Sequence, residues 1–327
     1  MPDITRWGIL GTGSIAHKFA AGLTSVTDAT LAAVGSRAQE TADAFGDEFD
    51  VANRHSTYEA LAQDPNVDAI YVSTPHPFHQ ENTILCLEAG KAVLCEKPFA
   101  INAEGARRMM AVAKDNGVFL MEAMWTRFVP LMVEVRKIIV EGRIGEVRMC
   151  QADFGFRAGI NPEGRLFDPA LGGGALLDVG VYPVSFASMV MRKIPTRVTG
   201  FAEIGETGVD EQAGMVLGYG GGEIAVLSTA VRTNTSGEAR IWGTEGKIEI
   251  GPRFWCPDTA ELTVGGDTQT LNIPYEGNGY NYEAMHVAEC LREGKTESDV
   301  LTLGETITIM ETMDGLRGKW GLKYPME

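Results

Sequence analysis

At 327 residues the chain exceeds the usual size of one domain, so two domains are expected. Apolar residues at 44% and charged residues at 22% suit a packed globular protein and exclude a disordered one. The formal net charge of −16 argues against nucleic acid as a partner, because a phosphate backbone would be repelled, while a local basic pocket stays compatible. The five scattered cysteines (Cys86, Cys95, Cys150, Cys256, Cys290) form no C-x-x-C pair, so buried thiols are expected and neither disulfides nor a metal site. Met1 to Arg6 lack the basic and apolar stretches of a signal peptide, and no apolar run is expected to reach bilayer length. The expectation is a cytoplasmic protein without a membrane partner.

In chain order, Ile4 to Leu10 is a short apolar strand, followed at once by Gly11-Thr12-Gly13-Ser14-Ile15-Ala16 and a helical stretch. Ala29 to Gly35 reads as strand and Gln39 to Phe45 as helix. Ser56 with Glu59 makes a capping box for the helix holding Tyr58 and Leu61. Val67 to Val72 is an apolar strand stopping at Ser73-Thr74-Pro75, and Phe78 to Ala89 a helix ended by Gly90. Ala92 to Cys95 runs into Glu96-Lys97-Pro98; a helix capped by Asn102 follows to about Gly117, and Val118 to Met121 closes the set. This alternation predicts a doubly wound parallel sheet of the Rossmann kind, whose strands are apolar throughout because both faces are covered.

After Pro130 the rhythm changes. Leu131 to Glu141 reads as an amphipathic helix, Val147 to Phe154 as a strand, and Gly172-Gly173-Gly174 as a turn into an apolar helix through Met189. Arg197 to about Thr270 reads as successive strands without helices, and Asn281 to Arg292 and Leu303 to Arg317 as closing helices. The expectation is a C-terminal α+β domain on a largely antiparallel open sheet. The boundary falls between Met121 and Pro130, giving a dinucleotide-binding domain over 1–123 and a substrate-binding and oligomerisation domain over 124–327.

A lone G-x-G-x-x-A marks ordinary turns as well as nucleotide sites. Here it follows a strand and opens a helix, the context the chemistry needs. Gly11 permits the tight turn, Gly13 lets the backbone approach a pyrophosphate, and Ala16 allows close helix–strand packing; Ser14 and Ile15 open the helix whose N–H groups face the phosphates. At the end of the second strand stand Ser36-Arg37 where NAD-specific sites place Asp or Glu. Arg37 can pair with a 2′-phosphate and Ser36 can donate to it, so NADP is favoured over NAD; the plainer reading is a solvent-facing arginine.

Glu96-Lys97-Pro98 lies at the C-terminal end of a strand, where open α/β sheets bind ligands, and a lysine there can stabilise charge on a reacting oxygen. If the stretch after Gly174 is α-helical, Asp178 and Tyr182 lie at i and i+4 and share one face among apolar neighbours. Such a polar pair either finds partners, as a cap and a core tyrosine, or carries function.

In this set of residues the chain resembles the Gfo/Idh/MocA oxidoreductases over essentially its full length. The matching pieces are Gly11 to Ala16, Thr74-Pro75 with His79, Glu96-Lys97-Pro98, and Asp178 with Tyr182. The runs Met121 to Phe128 and Gly172 to Pro183 are similar to the branch holding dimeric dihydrodiol dehydrogenases and NADP-dependent D-xylose dehydrogenases. The resemblance implies that Lys97 and Tyr182 are the catalytic pair, with Asp178 orienting substrate hydroxyls. Many members carry His at the position of Tyr182, a departure that suits this branch. An unperturbed phenol titrates near about pH 10, so a tyrosine base needs a cation such as Lys97 beside it. The branch also implies a pocket walled by Trp125, Phe154 and Trp255, each of which reads equally well as core. Arg127 either binds substrate or braces the domain junction, and His76 and His79 come near the cofactor together with Thr74, Pro75 and Glu96.

The leading expectation is hydride transfer between NADP and C1 of an aldose such as D-xylose or D-glucose, giving a lactone. The runner-up is oxidation of a trans-dihydrodiol to a catechol. From another class comes a catalytically silent NADP-binding sensor, against which the presence of both Lys97 and Tyr182 weighs. An antiparallel sheet covered on one face leaves another face open, so a homodimer or higher oligomer through the C-terminal sheet is expected.

Overall fold

The computed structural model describes residues 4–327; residues 1–3, on which the reading of no leader partly rests, lie outside the described residues. The chain divides into two units, Met1–Phe128 with Glu276–Ile307 and Val129–Tyr275 with Thr308–Glu327.

The first unit opens with β1 (Thr5–Leu10), α1 (Ser14–Leu23), β2 (Ala29–Gly35), α2 (Gln39–Phe49), β3 (Asn53–His55) and α3 (Tyr58–Ala62). It continues with β4 (Ala69–Val72), α4 (His79–Glu88), β5 (Ala92–Glu96), α5 (Ala103–Asn116) and β6 (Leu120–Ala123). The strands pair in the order β3-β2-β1-β4-β5-β6, all parallel. The order reverses between β1 and β4, the switch point at whose C-terminal edge such sheets bind ligands. Ser73 secures that edge, donating to the Leu10 carbonyl from both its N–H and its Oγ at 3.0 Å. Behind the edge, Phe19 of α1 stacks on Tyr71 with 3.8 Å between centroids and meets Trp7 edge-on at 5.2 Å.

Two details differ from the sequence reading. β3 is an edge strand of three polar residues, Asn53-Arg54-His55, with no apolar run to announce it. The cap of α3 is Thr57 and not Ser56: Thr57 is extended and its hydroxyl accepts the Ala60 N–H at 3.1 Å, one residue later than the Ser-x-x-Glu spacing implies.

The second unit holds α6 (Pro130–Val140), β7 (Val147–Gly155), α7 (Val181–Met191), β8 (Arg197–Ile204), β9 (Asp210–Gly218), β10 (Ile224–Ala230), β11 (Ala239–Gly243), β12 (Gly246–Ile250), β13 (Thr259–Val264) and β14 (Asp267–Asn272). Its eight strands pair as β14-β13-β12-β11-β7-β10-β9-β8. All these pairs are antiparallel except β7 with β10, so the sheet is mixed at its centre. α7 packs on β7 and β10 over the face that carries Cys150, Ala225 and Leu227, all buried. On the opposite face Met149, Val216 and Ile224 are exposed, as is Phe201 at 89%.

One expectation is corrected here. Pro169–Met191, a 3-10 turn and a helix separated by the turn at Gly172–Gly174, holds a window with a mean hydropathy of 1.4, by length and composition enough to cross a membrane. That window is 94% buried, so its apolarity serves a core. Two helices complete the chain, α8 (Tyr280–Arg292) in the first unit and α9 (Leu303–Trp320), within which the division falls. α8 packs against α1, and Asn278 just before it donates to the Lys18 carbonyl at 2.7 Å.

Candidate functional site

Gly11 adopts φ +103° directly after β1, a backbone conformation that favours glycine, and donates its N–H to the Gly35 carbonyl at 2.9 Å. Gly13 caps α1; Gly13 and Ser14 are exposed, Ile15 is half-buried, and Ala16 is buried where a larger residue would push the helix off the sheet. Ser36 is buried, its hydroxyl 2.6 Å from that of Thr41, whereas Arg37 is exposed. A cavity of about 570 Å³ opens beside it, lined by Arg37, Tyr58, Thr74, Pro75, Phe78 and Asn82 among others. Arg37 lies against Tyr58: burial pushes the Tyr58 phenol up, and the charge and hydrogen bonding of Arg37 pull it back. Tyr58 escaped the sequence reading as a site residue; its place at the start of α3, after the second strand's partner, is the signal that marks it.

His79 is buried and its ring lies between two loops, with Nδ1 2.8 Å from the Pro98 carbonyl and Nε2 2.7 Å from the Thr74 carbonyl. Burial lowers its pKa to about 4, against the pull of those carbonyls, so the ring is neutral near pH 7 and donates to one of them at a time. His79 therefore ties the loop after β4 to the loop after β5. His76 stands edge-on to it at 5.8 Å, in the short 3-10 turn His76–Phe78.

Lys97 is half-buried at the end of β5, and the Lys97–Pro98 peptide is cis. Glu96 before it points inward, accepting the Tyr71 hydroxyl in a short bond and the Lys97 N–H at 3.0 Å. Trp125 is buried and stacks on Tyr280 with 4.5 Å between centroids. Arg127 is 2% exposed and paired with Glu305 at 2.7 Å, beside Glu122, whose pKa burial raises to about 7. That is the geometry of a brace inside the first unit.

In the second unit Asp178 and Tyr182 are buried, but the stretch Leu176–Gly180 is wound as a π-helix and passes into α7 at Val181. The i, i+4 spacing therefore crosses a widened turn, a form frequent at functional sites. Asp178 is paired with the exposed Arg165 at 2.5 Å, a residue of the 157–170 loop that sequence reasoning passed over. Phe154 stacks on Trp255 at 3.6 Å and 4° and meets the Tyr182 ring at 5.3 Å. These rings form a flat aromatic wall beside the phenol.

The start of this helix is held by Asp210 of β9, fully buried, whose Oδ2 accepts the Leu176 N–H at 2.7 Å. Burial raises the Asp210 pKa to about 7. Gly174 (φ +116°) lies against its other oxygen, and the Tyr324 hydroxyl donates to the Gly173 carbonyl at 2.6 Å. The glycine run is thus a place where a carboxylate and a backbone meet closely.

The first unit has the features a dinucleotide needs. A Cβ added at Gly13 would meet nothing within 4 Å, and α1 starts there without a side-chain cap and without an acid in its first turn. Open space before unpaired helix N–H groups suits a pyrophosphate, and the Arg37 cavity suits the adenosine end.

Comparison with known proteins agrees with this geometry. Residues 5–124 match the oxidoreductase family with an NAD-binding Rossmann fold, and residues 132–249 match the GFO/IDH/MocA C-terminal domain. Trans-1,2-dihydrobenzene-1,2-diol dehydrogenase of Mus musculus is 39% identical, over 98% of each chain. Its counterpart in Xenopus tropicalis is 37% identical over 98% of this chain and 99% of that one. Among solved structures, aldose-aldose oxidoreductase from Caulobacter crescentus, complexed with glycerol, has a TM-score of 0.88 at 26% identity, covering 95% of this chain and 96% of that one.

Proposed function

The chain belongs to the Gfo/Idh/MocA oxidoreductases, nicotinamide-dependent dehydrogenases acting on CH–OH groups, and from that premise we propose that it oxidises C1 of an aldose to a lactone with NADP. The observation that carries the reading is Tyr182 set beside the aromatic wall of Phe154 and Trp255, with the ion-paired Asp178 one turn before it. A sugar ring offers flat C–H faces to such a wall and hydroxyls to a carboxylate. A trans-dihydrodiol has the same combination, and the relatives' names favour it as the second reading.

NADP, when bound, supplies the hydride acceptor. Gly11 to Ala16 would hold its pyrophosphate, Arg37 with Ser36 would meet the 2′-phosphate, and Thr74 and Pro75 would line the adenosine cavity they share with Arg37, with His76 facing the cofactor from the same loop, which His79 holds. Tyr182 takes the proton of the reacting hydroxyl, and the Lys97 ammonium stabilises the charge left on that oxygen. Asp178, paired with Arg165, accepts a hydrogen bond from a neighbouring hydroxyl. In the reverse direction Tyr182 returns the proton.

The test is the appearance of reduced nicotinamide absorbance with D-xylose, D-glucose and a trans-dihydrodiol, each with NADP⁺ or NAD⁺. Lys97→Met and Tyr182→Phe are expected to lower kcat by about 10²–10⁴-fold. Arg37→Ala is expected to raise KM for NADP⁺ by about 10- to 100-fold, the loss of a hydrogen bond to a charged group, with KM for NAD⁺ unchanged. Tight NADPH binding with no turnover on the panel would turn the reading toward the sensor.

A further inference from the structure

Two carboxyl groups of the first unit are buried near one another, so that the charge of Glu96 raises the cost of charging Glu283, yet among the described residues only Glu96 has partners. Glu96, 4% exposed, accepts from the Tyr71 hydroxyl through Oε1 and from the Lys97 N–H through Oε2 at 3.0 Å. Glu283 on α8 is 0% exposed, and neither of its carboxyl oxygens has a hydrogen-bond partner among the described residues.

An ionised carboxylate without hydrogen bonds in a dry interior is far costlier than the neutral acid. The partners therefore divide the pair: the charge goes to Glu96 and the proton to Glu283. The surrounding charges act in the same sense. Glu96 is faced by Tyr71 from β4, by Lys97 next in the chain, by Lys18 from α1 and by Glu283 from α8. Burial pushes the Glu96 pKa up, while both lysines and the hydrogen bonds from Tyr71 and the Lys97 N–H pull it back toward the ionised form. Glu283 has only burial and the charge of Glu96 acting on it, and both push its pKa well up. Glu122 of β6, level with Cys95, is already engaged by Thr306 and faced by Arg127.

Glu96 thus turns its side chain into the core and toward the peptide that starts the Lys97 loop. We propose that Glu96 is a positioning residue for Lys97, tethered by Tyr71 and fixing the Lys97 peptide N–H, while Glu283 is the neutral member that leaves the negative charge on Glu96. This rests on the reading of Lys97 as the residue that stabilises the reacting oxygen.

The experiment is steady-state kinetics of the full-length enzyme on the panel substrate with the highest turnover, comparing Glu96→Gln, Tyr71→Phe, Glu283→Gln and Lys97→Met at matched thermal midpoints. Glu96→Gln is expected to lower kcat by about tenfold or more through misplacement of Lys97, with the Kd for NADPH within about twofold of wild type. Tyr71→Phe is expected to act in the same direction by about three- to tenfold, and it carries the test should Glu96→Gln fail to fold. Glu283→Gln, which replaces a group already neutral, is expected to keep kcat within about twofold at pH 7. The acid limb of the kcat–pH profile is expected to shift in Glu96→Gln and to stay in Glu283→Gln. Full activity of Glu96→Gln beside an inactive Lys97→Met would overturn the positioning role alone. Equal losses in Glu96→Gln and Glu283→Gln would overturn the division of charge. An active Lys97→Met would overturn both this inference and the catalytic reading beneath it.

Discussion

A methyl group added at Gly174 would stand 2.2 Å from Oδ1 of Asp210, on a backbone already at φ +116°. Gly174→Ala is therefore expected to destabilise the protein by about 2–4 kcal/mol, from left-handed strain and the clash together, read as a lowered midpoint in urea. A wild-type midpoint would show that Asp210 moves aside freely. Arg127 poses a different question, because its sequence context suits a substrate ligand as well as a brace. Its pairing with Glu305 predicts that Arg127→Met costs about 3 kcal/mol of stability by stranding charge beside buried Glu122, and leaves KM for substrate near wild type. A raised KM at unchanged stability would restore it to the substrate site.

The elements most legible in the sequence are those whose pattern and packing coincide. β4 and most of β1 and β5 are apolar because helices cover both faces of their sheet, and the Gly11–Ala16 turn announces itself between strand and helix. β3 lacks that signature because an edge strand of Asn53, Arg54 and His55 needs only backbone pairing. The π-turn at Leu176–Gly180 is equally hidden, since Gly180 is fixed by what surrounds it: a Cβ there would be 3.1 Å from Thr229. Nor does sequence order reveal that α8 packs on α1, the arrangement that brings Glu283 into the first unit's core. Asn278 is the polar tie at that contact, so Asn278→Ala is expected to cost about 1 kcal/mol and to speed hydrogen exchange in α8 before other helices.

For the molecule as a whole, buried acids set the response to pH. Asp210 and Glu122 carry pKa values raised to about 7, so between the unfolded carboxylate range and that value the folded chain binds more protons than the unfolded one. Their contribution to stability is complete in acid and is lost as pH rises through about 7. His79, lowered to about 4, acts oppositely: its contribution is complete above the unfolded imidazole value and is lost as pH falls toward about 4. Urea unfolding is expected to show stability declining from about pH 5 to 8, with a shallower decline in Asp210→Asn; equal slopes would contradict the assignment. The exposed apolar face of Met149, Phe201, Val216 and Ile224 supports a proposal that a second copy covers it. Light scattering is then expected to give a dimer, and a monomer for Phe201→Lys; a monomeric wild type would sink the proposal. The parallel pairing of β7 with β10 also dictates an order of assembly. The ladder from β11 to β14 joins strands that follow one another in the chain, whereas β7 finds β10 only after α7, β8 and β9 have been made, and loop closure over that span slows the step. During synthesis β7 therefore waits as an unpaired edge, and this is the stretch of chain that a chaperone would most need to shield.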